Sequence, residues 1–315
     1  DGHAAVRLDL AVSRAFGLSR RAAREAVRAG RVDVAGSTVQ EPGAAVGPEA
    51  KVDYRPDRPR RRRSSARLSV LHEDDDVLVV DKPAGLLTVP TQAREKDTLW
   101  SRAIHYLQQR YGGRPYAGIV HRLDKDTSGA VVFARTRSAL HFLQERFRLH
   151  AIEREYVALA DGRTPDEAVL DADLVATAGL RRTVARAGQS GRRAVTRYRT
   201  IERLSGASLV SVRPETGRTH QIRVHLAASG HAILGDRVYA PARGEASRAA
   251  PRQMLHARVL GFPHPRTGEP VRAEAPIPED FASILARLRG PKRKRPGEAG
   301  PQGQNALARA TRERR

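Results

Sequence analysis

Between residues 68 and 289 the sequence alternates short apolar, strand-like runs with turns, and few stretches carry helical periodicity. Residues 77–80 read as a buried strand ending at the turn Asp81-Lys82-Pro83-Ala84-Gly85. Residues 117–120, 130–134 and 155–160 read as further strands, and 137–149 as a helix. Strands spaced this irregularly, without crossover-length helices between them, argue against a doubly wound parallel fold and for mixed α+β.

Two of these strands flank the loop His121-Arg122-Leu123-Asp124-Lys125-Asp126-Thr127-Ser128-Gly129. Rigid strands position loop groups well, so a dense polar cluster where a turn would suffice suggests a site. The residue types leave several chemistries open. His121 with Asp124 and Asp126 could ligate a metal, but no further spacing completes a familiar ligand set. Ser128 with His121 could suggest acyl transfer, but the glycines of a nucleophile elbow are missing. A P-loop is excluded for lack of its glycines. On residue types, a salt-bridged polar turn ranks ahead of each of these.

The charge points to the class of partner. The 315 residues carry 57 Lys+Arg against 35 Asp+Glu, a net charge of +22, which favours a polyanionic partner, chiefly nucleic acid, with an anionic membrane surface as the weaker option. It is unevenly spread. Residues 1–54 carry net +1, whereas 55–67 and 290–315 carry +6 each, leaving +9 for the 222 residues between. The two basic segments are rich in Pro, Gly, Ser and like charge, and read as a linker and a disordered tail able to touch phosphates. The absence of cysteine excludes disulfides, thiolate metal sites and a cysteine nucleophile. No apolar run is long enough to span a bilayer and the first twenty residues lack a secretory core, so a cytoplasmic monomer is expected, with no membrane partner. The sequence opens on Asp1 rather than Met, which points to residues removed ahead of it.

In residues 1–54, Leu8, Leu10, Ala11, Val12, Ala15 and Phe16 suggest an apolar-faced helix stopped by Gly17. Ser19 as N-cap and Gly30 as terminator bound a second helix. On it Arg20, Arg24 and Arg28 recur every four residues as one basic stripe, opposite Ala22, Ala23, Ala26 and Val27. Residues 31–34 and 37–39 around Ala35-Gly36 read as a hairpin. Arg7-Leu8-Asp9, Ser19-Arg20 and the segment from Gly30 to Gly36 resemble the signature of the S4 RNA-binding domain, with Ala35 in place of the usual Asn. That resemblance makes Arg20, Arg24 and Arg28 RNA-binding candidates.

The loop His-Arg-Leu-Asp-x-Asp-Thr-Ser-Gly resembles the active-site motif of the RluA/RluD-type RNA pseudouridine synthases. Four further blocks match that family in order: Glu73-Asp74 through Lys82-Pro83-Ala84-Gly85; Arg154-x-Tyr156-x-Ala158, with Arg154 where the family has Lys; Thr216-Gly217-Arg218-Thr219-His220-Gln221-Ile222-Arg223 with Gly235-Asp236; and Leu255-His256-Ala257 with His264-Pro265. His121 before Arg-Leu-Asp separates the chain from the related RsuA-type branch.

The resemblance implies an α+β catalytic domain over 68–289, its largely antiparallel sheet carrying a central cleft, behind a small S4-like domain. It implies isomerisation of uridine to pseudouridine in RNA, most readily large-subunit ribosomal RNA. The product is an isomer, so no cofactor or metal need enter. Asp124 is then the carboxylate that attacks C1′, adds to the ring or drives glycal formation. Arg223 is its cationic partner, on a helix whose packed side holds Ile222 and Leu226, and Tyr156 packs on the base. Arg122 holds the flipped-out site open, and Lys82, Arg218 and His220 contact RNA or organise loops. A non-catalytic RNA-binding or ribosome-assembly factor and a tRNA-directed synthase remain the alternatives.

Overall fold

The computed structural model describes residues 6–39, 41–47, 49–58, 68–93, 95–177, 181–240 and 244–290. Most of the expected linker (59–67) and nearly all of the expected tail (291–315) lie outside the described residues. The chain divides into two compact units, Asp1–Leu68 and Ser69–Arg315.

In the first unit, β1 (Val6–Arg7) leads into α1 (Leu8–Phe16) and α2 (Arg20–Arg28). Then β2 (Val32–Val34), β3 (Ser37–Thr38), β4 (Ala45–Val46) and β5 (Val52–Tyr54) follow. Gly17, at φ +62°, ends α1, and the Ser19 hydroxyl caps α2 by accepting from the Ala22 N–H. Leu8, Val12, Ala23, Ala26, Val27 and Val32 form the core, whereas Ala22, expected on the apolar face, is exposed because it sits in the first turn of α2. The Asp of Arg-Leu-Asp is structural. Asp9 is fully buried, accepts two hydrogen bonds from Arg7 and one from Arg24 Nε at 2.8 Å, and is held well below the usual carboxylate range by them. It thereby ties α1 to α2. Asp33 does the same at the other edge: it receives Arg58, which also donates to the Gly30 carbonyl. Residues 55–58, expected to be linker, are therefore folded onto this unit.

In the second unit, β6 (Ser69–Glu73) and β7 (Val77–Lys82) precede α3 (Leu99–Tyr111), β8 (Gly118–Ile119), β9 (Ser128–Ala134) and α4 (Arg137–Arg148). Next come β10 (Glu153–Asp161), β11 (Glu167–Asp171), β12 (Leu174–Ala176), β13 (Arg182–Val184), β14 (Val195–Leu204) and β15 (Ala207–Pro214). The unit ends with α5 (Gln221–Ala228), α6 (Gly244–Ala249), β16 (Leu255–Pro263), β17 (Pro270–Glu274) and α7 (Glu279–Arg289). One ten-stranded sheet runs β11-β14-β15-β10-β16-β9-β7-β6, with β17 on β16 and β8 on β9. Its pairings are antiparallel except for β9 against β16. The mixed, largely antiparallel α+β expectation therefore holds.

That parallel junction is a seam between two half-sheets, each with its own core. One core lies among β10, β15, β16, α5 and α7, around Leu159, Val210, Leu226 and Phe281. The other lies among β7, β9 and α4, around Val79, Val132 and Leu143, and takes Leu260 and Phe262 from the far end of β16. All seven residues of β9 are buried, which explains its continuous apolar run. The strand starts at Ser128, two residues before the sequence suggests, because Ser128 and Gly129 pair with His256 and Ala257. Gly129 has φ +117°, and a Cβ there would lie 2.1 Å from the Ala257 carbonyl oxygen. The backbones approach so closely that a side chain has no room. Gly129→Ala is expected to destabilise the second unit by about 2–5 kcal/mol from strain and overpacking. A thermal-denaturation midpoint equal to wild type would contradict this.

Candidate active site

A cleft of about 350 Å³ in the second unit is lined by Asp124, Arg154, Tyr156, Arg218, His220 and Arg223 among others. The loop that carries Asp124 is pinned on both sides. The Thr88 hydroxyl accepts from the Leu123 N–H and donates to the Leu123 carbonyl. The Lys82 ammonium donates to the carbonyls of Pro83, Leu86 and Lys125 at 3.0, 2.7 and 2.8 Å. Arg252 donates to the Asp126 carbonyl, and Gln253 to the Thr127 hydroxyl.

Opposite the loop, the turn before α5 is locked by buried Gln221. Its amide oxygen accepts from Thr216 Oγ1 and the Arg218 N–H, and its amide nitrogen donates to Val195 O and Thr196 Oγ1. Residues 221–226 are all buried. Ile222 and Leu226 pack into the core as expected and Arg223 takes a different side, while Ala228 at the end of the helix is exposed. Arg223 projects into the cleft from an enclosed helix.

Arg223 is the centre of the electrostatics. Its Nε and Nη2 donate to the two oxygens of Asp236 at 2.7 and 3.0 Å, and its Nη1 donates to Asp124 Oδ2 at 2.9 Å. Burial opposes its charge, but Asp236 and Asp124 outweigh that and raise its pKa further. Asp236 is buried yet held below the usual carboxylate range, because Arg223 and the N–H groups of Val238 and Tyr239 more than offset its desolvation. The Tyr239 ring lies 5.0 Å from the guanidinium carbon. Gly235 precedes Asp236 because a Cβ there, at φ +75°, would lie 2.0 Å from the Arg252 carbonyl oxygen.

Two aromatic groups complete the wall. β10 carries an irregularity between Glu155 and Tyr156 in its pairing with β16, and such bulges re-aim side chains beside sites. Burial pushes the Tyr156 phenol up, and the Asp124 charge adds to this, so it is protonated at neutral pH. His220, at φ +58°, sits at the mouth of α5 with Nε2 3.8 Å from Asp124 Oδ1. The Tyr239 hydroxyl accepts from the Arg182 N–H and faces His220 Nδ1 at 2.7 Å. With the hydroxyl donating to Nδ1, the imidazole carries its proton on Nε2, toward Asp124. Burial keeps His220 neutral by pulling it down against the pull of Asp124.

The structure thus brings Asp124, Tyr156, Arg218, His220 and Arg223 to one cleft, with exposed Arg122 at its rim. Arg218 is partly committed, its Nε donating to the Arg193 carbonyl. Lys82 is a correction: it is fully buried and organises the Asp124 loop, so it cannot contact RNA. Burial pulls it down to about 7 while Asp126 and Asp124 pull it back up. In the first unit, Arg20 and Arg28 are exposed, but Arg24 spends its Nε on Asp9. Ser128 pairs with His256, not His121. Its hydroxyl lies 3.0 Å from His256 Nδ1, while His256 Nε2 faces the Ala275 carbonyl, and both residues are buried in the seam. Sequence reasoning assigned no role to Asp236, Tyr239 or Arg252. A signal existed for Asp236, which stands in a matched Gly-Asp pair.

Among the described residues Asp74, Asp76 and His264 are close enough to share an ion. However, His264 Nδ1 accepts from the N–H groups of Arg266 and Thr267, so Nε2 carries the proton and points it at Asp74, 3.3 Å away. The cluster is a hydrogen-bonded turn.

Comparison with known proteins agrees with this geometry. Residues 76–228 match the family model of RNA pseudouridylate synthase, and residues 6–52 match that of the S4 domain. The chain is 37% identical over 307 residues to ribosomal large subunit pseudouridine synthase D of Xylella fastidiosa, covering 92% of this chain and 91% of that one. It is 39% identical over 227 residues to the protein of that name from Nitrosomonas europaea, covering 70% of this chain and 65% of that one. Among solved structures, human RNA pseudouridylate synthase domain containing 4 aligns with a TM-score of 0.62 at 26% identity, covering 70% of this chain and 93% of that one. The chain belongs to the RNA pseudouridine synthase family. Its first unit is an S4 domain.

The site carries a pH signature. His121 Nε2 accepts from the Val132 N–H, and its ring stacks on Phe147 at 4.6 Å. Burial and the nearby Arg154 charge pull it from 6.5 to about 3, and burial pulls His256 to about 4. Below about pH 6.5 the unfolded chain takes protons that the folded one refuses, so stability falls as pH drops toward 4. Thermal melts at pH 7 and pH 4.5 should show this loss, and His121→Gln should reduce it. An unchanged loss in that variant would remove His121 from the account.

Proposed function

We propose that this protein isomerises uridines of large-subunit ribosomal RNA to pseudouridine, with Asp124 as the nucleophile acting on an extracted base. The observation that carries the reading is the Asp124 carboxylate, set in a cleft by an arginine that a second, buried carboxylate already orients. A fixed cation aims such a carboxylate, as covalent chemistry at C1′ requires. The relatives' name supplies the substrate class.

In this reading the uridine leaves its stack and enters the cleft, with Arg122 at the rim filling the space it vacates. The uracil ring lies against Tyr156. Asp124 engages the nucleotide, the N1–C1′ bond breaks, and the base turns to rejoin C1′ through C5. His220, its Nε2 3.8 Å from Asp124 Oδ1, faces the carboxylate without hydrogen-bonding it and closes that side of the cleft. Arg20 and Arg28 of the S4 domain hold RNA through phosphates, in a salt-dependent manner.

Asp124→Asn is expected to bind ribosomal RNA as the wild type does while losing pseudouridine formation by on the order of 10³-fold or more. Pseudouridine mapping in total RNA from strains carrying either form would check this. Undiminished modification would sink the assignment of Asp124. Modification absent from ribosomal RNA but present in tRNA would sink the substrate.

A further inference from the structure

Arg154 is a cation in the cleft that no carboxylate of the described residues answers. Its Nη2 donates to the carbonyls of Pro214 and Glu215, at 3.1 and 3.4 Å, and its Nε is buried without a partner. Its guanidinium lies over the Phe147 ring at 5.7 Å, and its charge is desolvated enough to lower its pKa. Gly217 leaves room beside it, since a Cβ there would stand 3.3 Å from Nη1. Arg154 lines the same cleft as Asp124, two residues before Tyr156 on β10. A half-buried guanidinium whose Nε is enclosed without a partner is costly to keep unless an anion is present when the site is working.

We propose that Arg154 stabilises the negative charge on the uracil ring while it is detached from the ribose. This rests on the reading that uridine is isomerised here. When the N1–C1′ bond breaks, its electron pair stays on the base, leaving a uracil anion whose charge is spread over N1, O2 and O4. A guanidinium N–H donated to one of those carbonyl oxygens is strongest at that moment, because the oxygen is more negative than in bound uridine or in product. The N1–C1′ bond breaks as the Asp124 carboxylate bonds to C1′. The anion then forms the C5–C1′ bond as the Asp124–C1′ bond breaks and the carboxylate is regenerated. C5 loses its proton, and N1 takes one up, so atoms and charge balance without another reactant. A phosphodiester is the other anion the RNA offers. Exposed Arg122 at the rim suits it, whereas Arg154 lies beside the tyrosine that carries the base.

The test uses the full-length protein and an in vitro transcript of large-subunit ribosomal RNA from the source organism, made with uridine or with 5-fluorouridine. Fluorine makes the departing ring a weaker base, which needs less help. Wild-type conversion of the uridine transcript is the precondition, and its failure would count against the proposed function, not against Arg154. Arg154→Gln should bind the transcript within about twofold of wild type and slow single-turnover consumption of the target uridine by about 100-fold. With the 5-fluorouridine transcript the deficit should shrink at least tenfold. Arg154→Lys keeps the charge but, on a shorter side chain, does not reach the two carbonyls that Nη2 holds, and should stay within tenfold of wild type. An equal deficit on both transcripts, or a loss that falls on binding, would overturn the proposal in favour of a phosphate contact. Equal impairment of the Lys and Gln variants would overturn it in favour of a loop tether.

Discussion

The double grip of Asp236 on Arg223 is the interaction on which the site depends. A lone arginine facing a lone aspartate across a cleft could rotate away or be satisfied by water. Here two of its donating nitrogens are taken by a buried carboxylate, which is itself held by backbone N–H groups, so the remaining nitrogen has one direction left. Asp124 lies in that direction. Arg223 gives two of its nitrogens to Asp236 and one to Asp124, so the guanidinium orients Asp124 while most of its hydrogen bonding goes elsewhere. The chain invests heavily in this arrangement: an enclosed helix, a glycine with no room for a side chain and an aromatic ring under the guanidinium all serve one hydrogen bond.

The fold supplies the geometry by joining two half-sheets at one short parallel seam. The Asp124 loop enters the seam from one side through β9, and β16 and β10 meet it from the other. Asp124, on the loop that leads into β9, and Tyr156, on β10, therefore belong to different half-sheets and are brought together across the join. The distances within the site are set by how closely Gly129 lets the two backbones approach.

Much of this was legible in the sequence where the signal is local. The Gly17 stop and the Ser19 cap are short-range events of turn geometry and hydrogen bonding, as is the start of α4 near residue 137. The apolar run of β9 marked a strand buried on both faces. What escaped was long-range. Ser128 and Gly129 look like the end of a loop until His256 and Ala257 arrive beside them, 128 residues later. Asp33 gives no sign that it captures Arg58, so residues 55–58 read as spacer. Lys82 read as a cation that contacts RNA or organises loops, and the three carbonyls from two loops that converge on it, which decide for the second role, are not visible in the sequence. Asp124, Tyr156 and Arg223 were found through resemblance. Their residue types in isolation favoured a salt-bridged turn.

The Lys82 pocket bears on the chain's composition. The protein uses arginine for nearly all its positive charge, with six lysines in the whole sequence. At position 82 that habit stops for a geometric reason. Three carbonyl oxygens converge on a point, as ligands would around a small ion, and a tetrahedral ammonium fills such a tripod with one N–H each. A guanidinium is flat and wide, and would push the carbonyls apart. Where the mutational drift of a genome turns lysine codons into arginine codons, this is a position at which the exchange would loosen the Asp124 loop, so shape, not charge, keeps lysine in place.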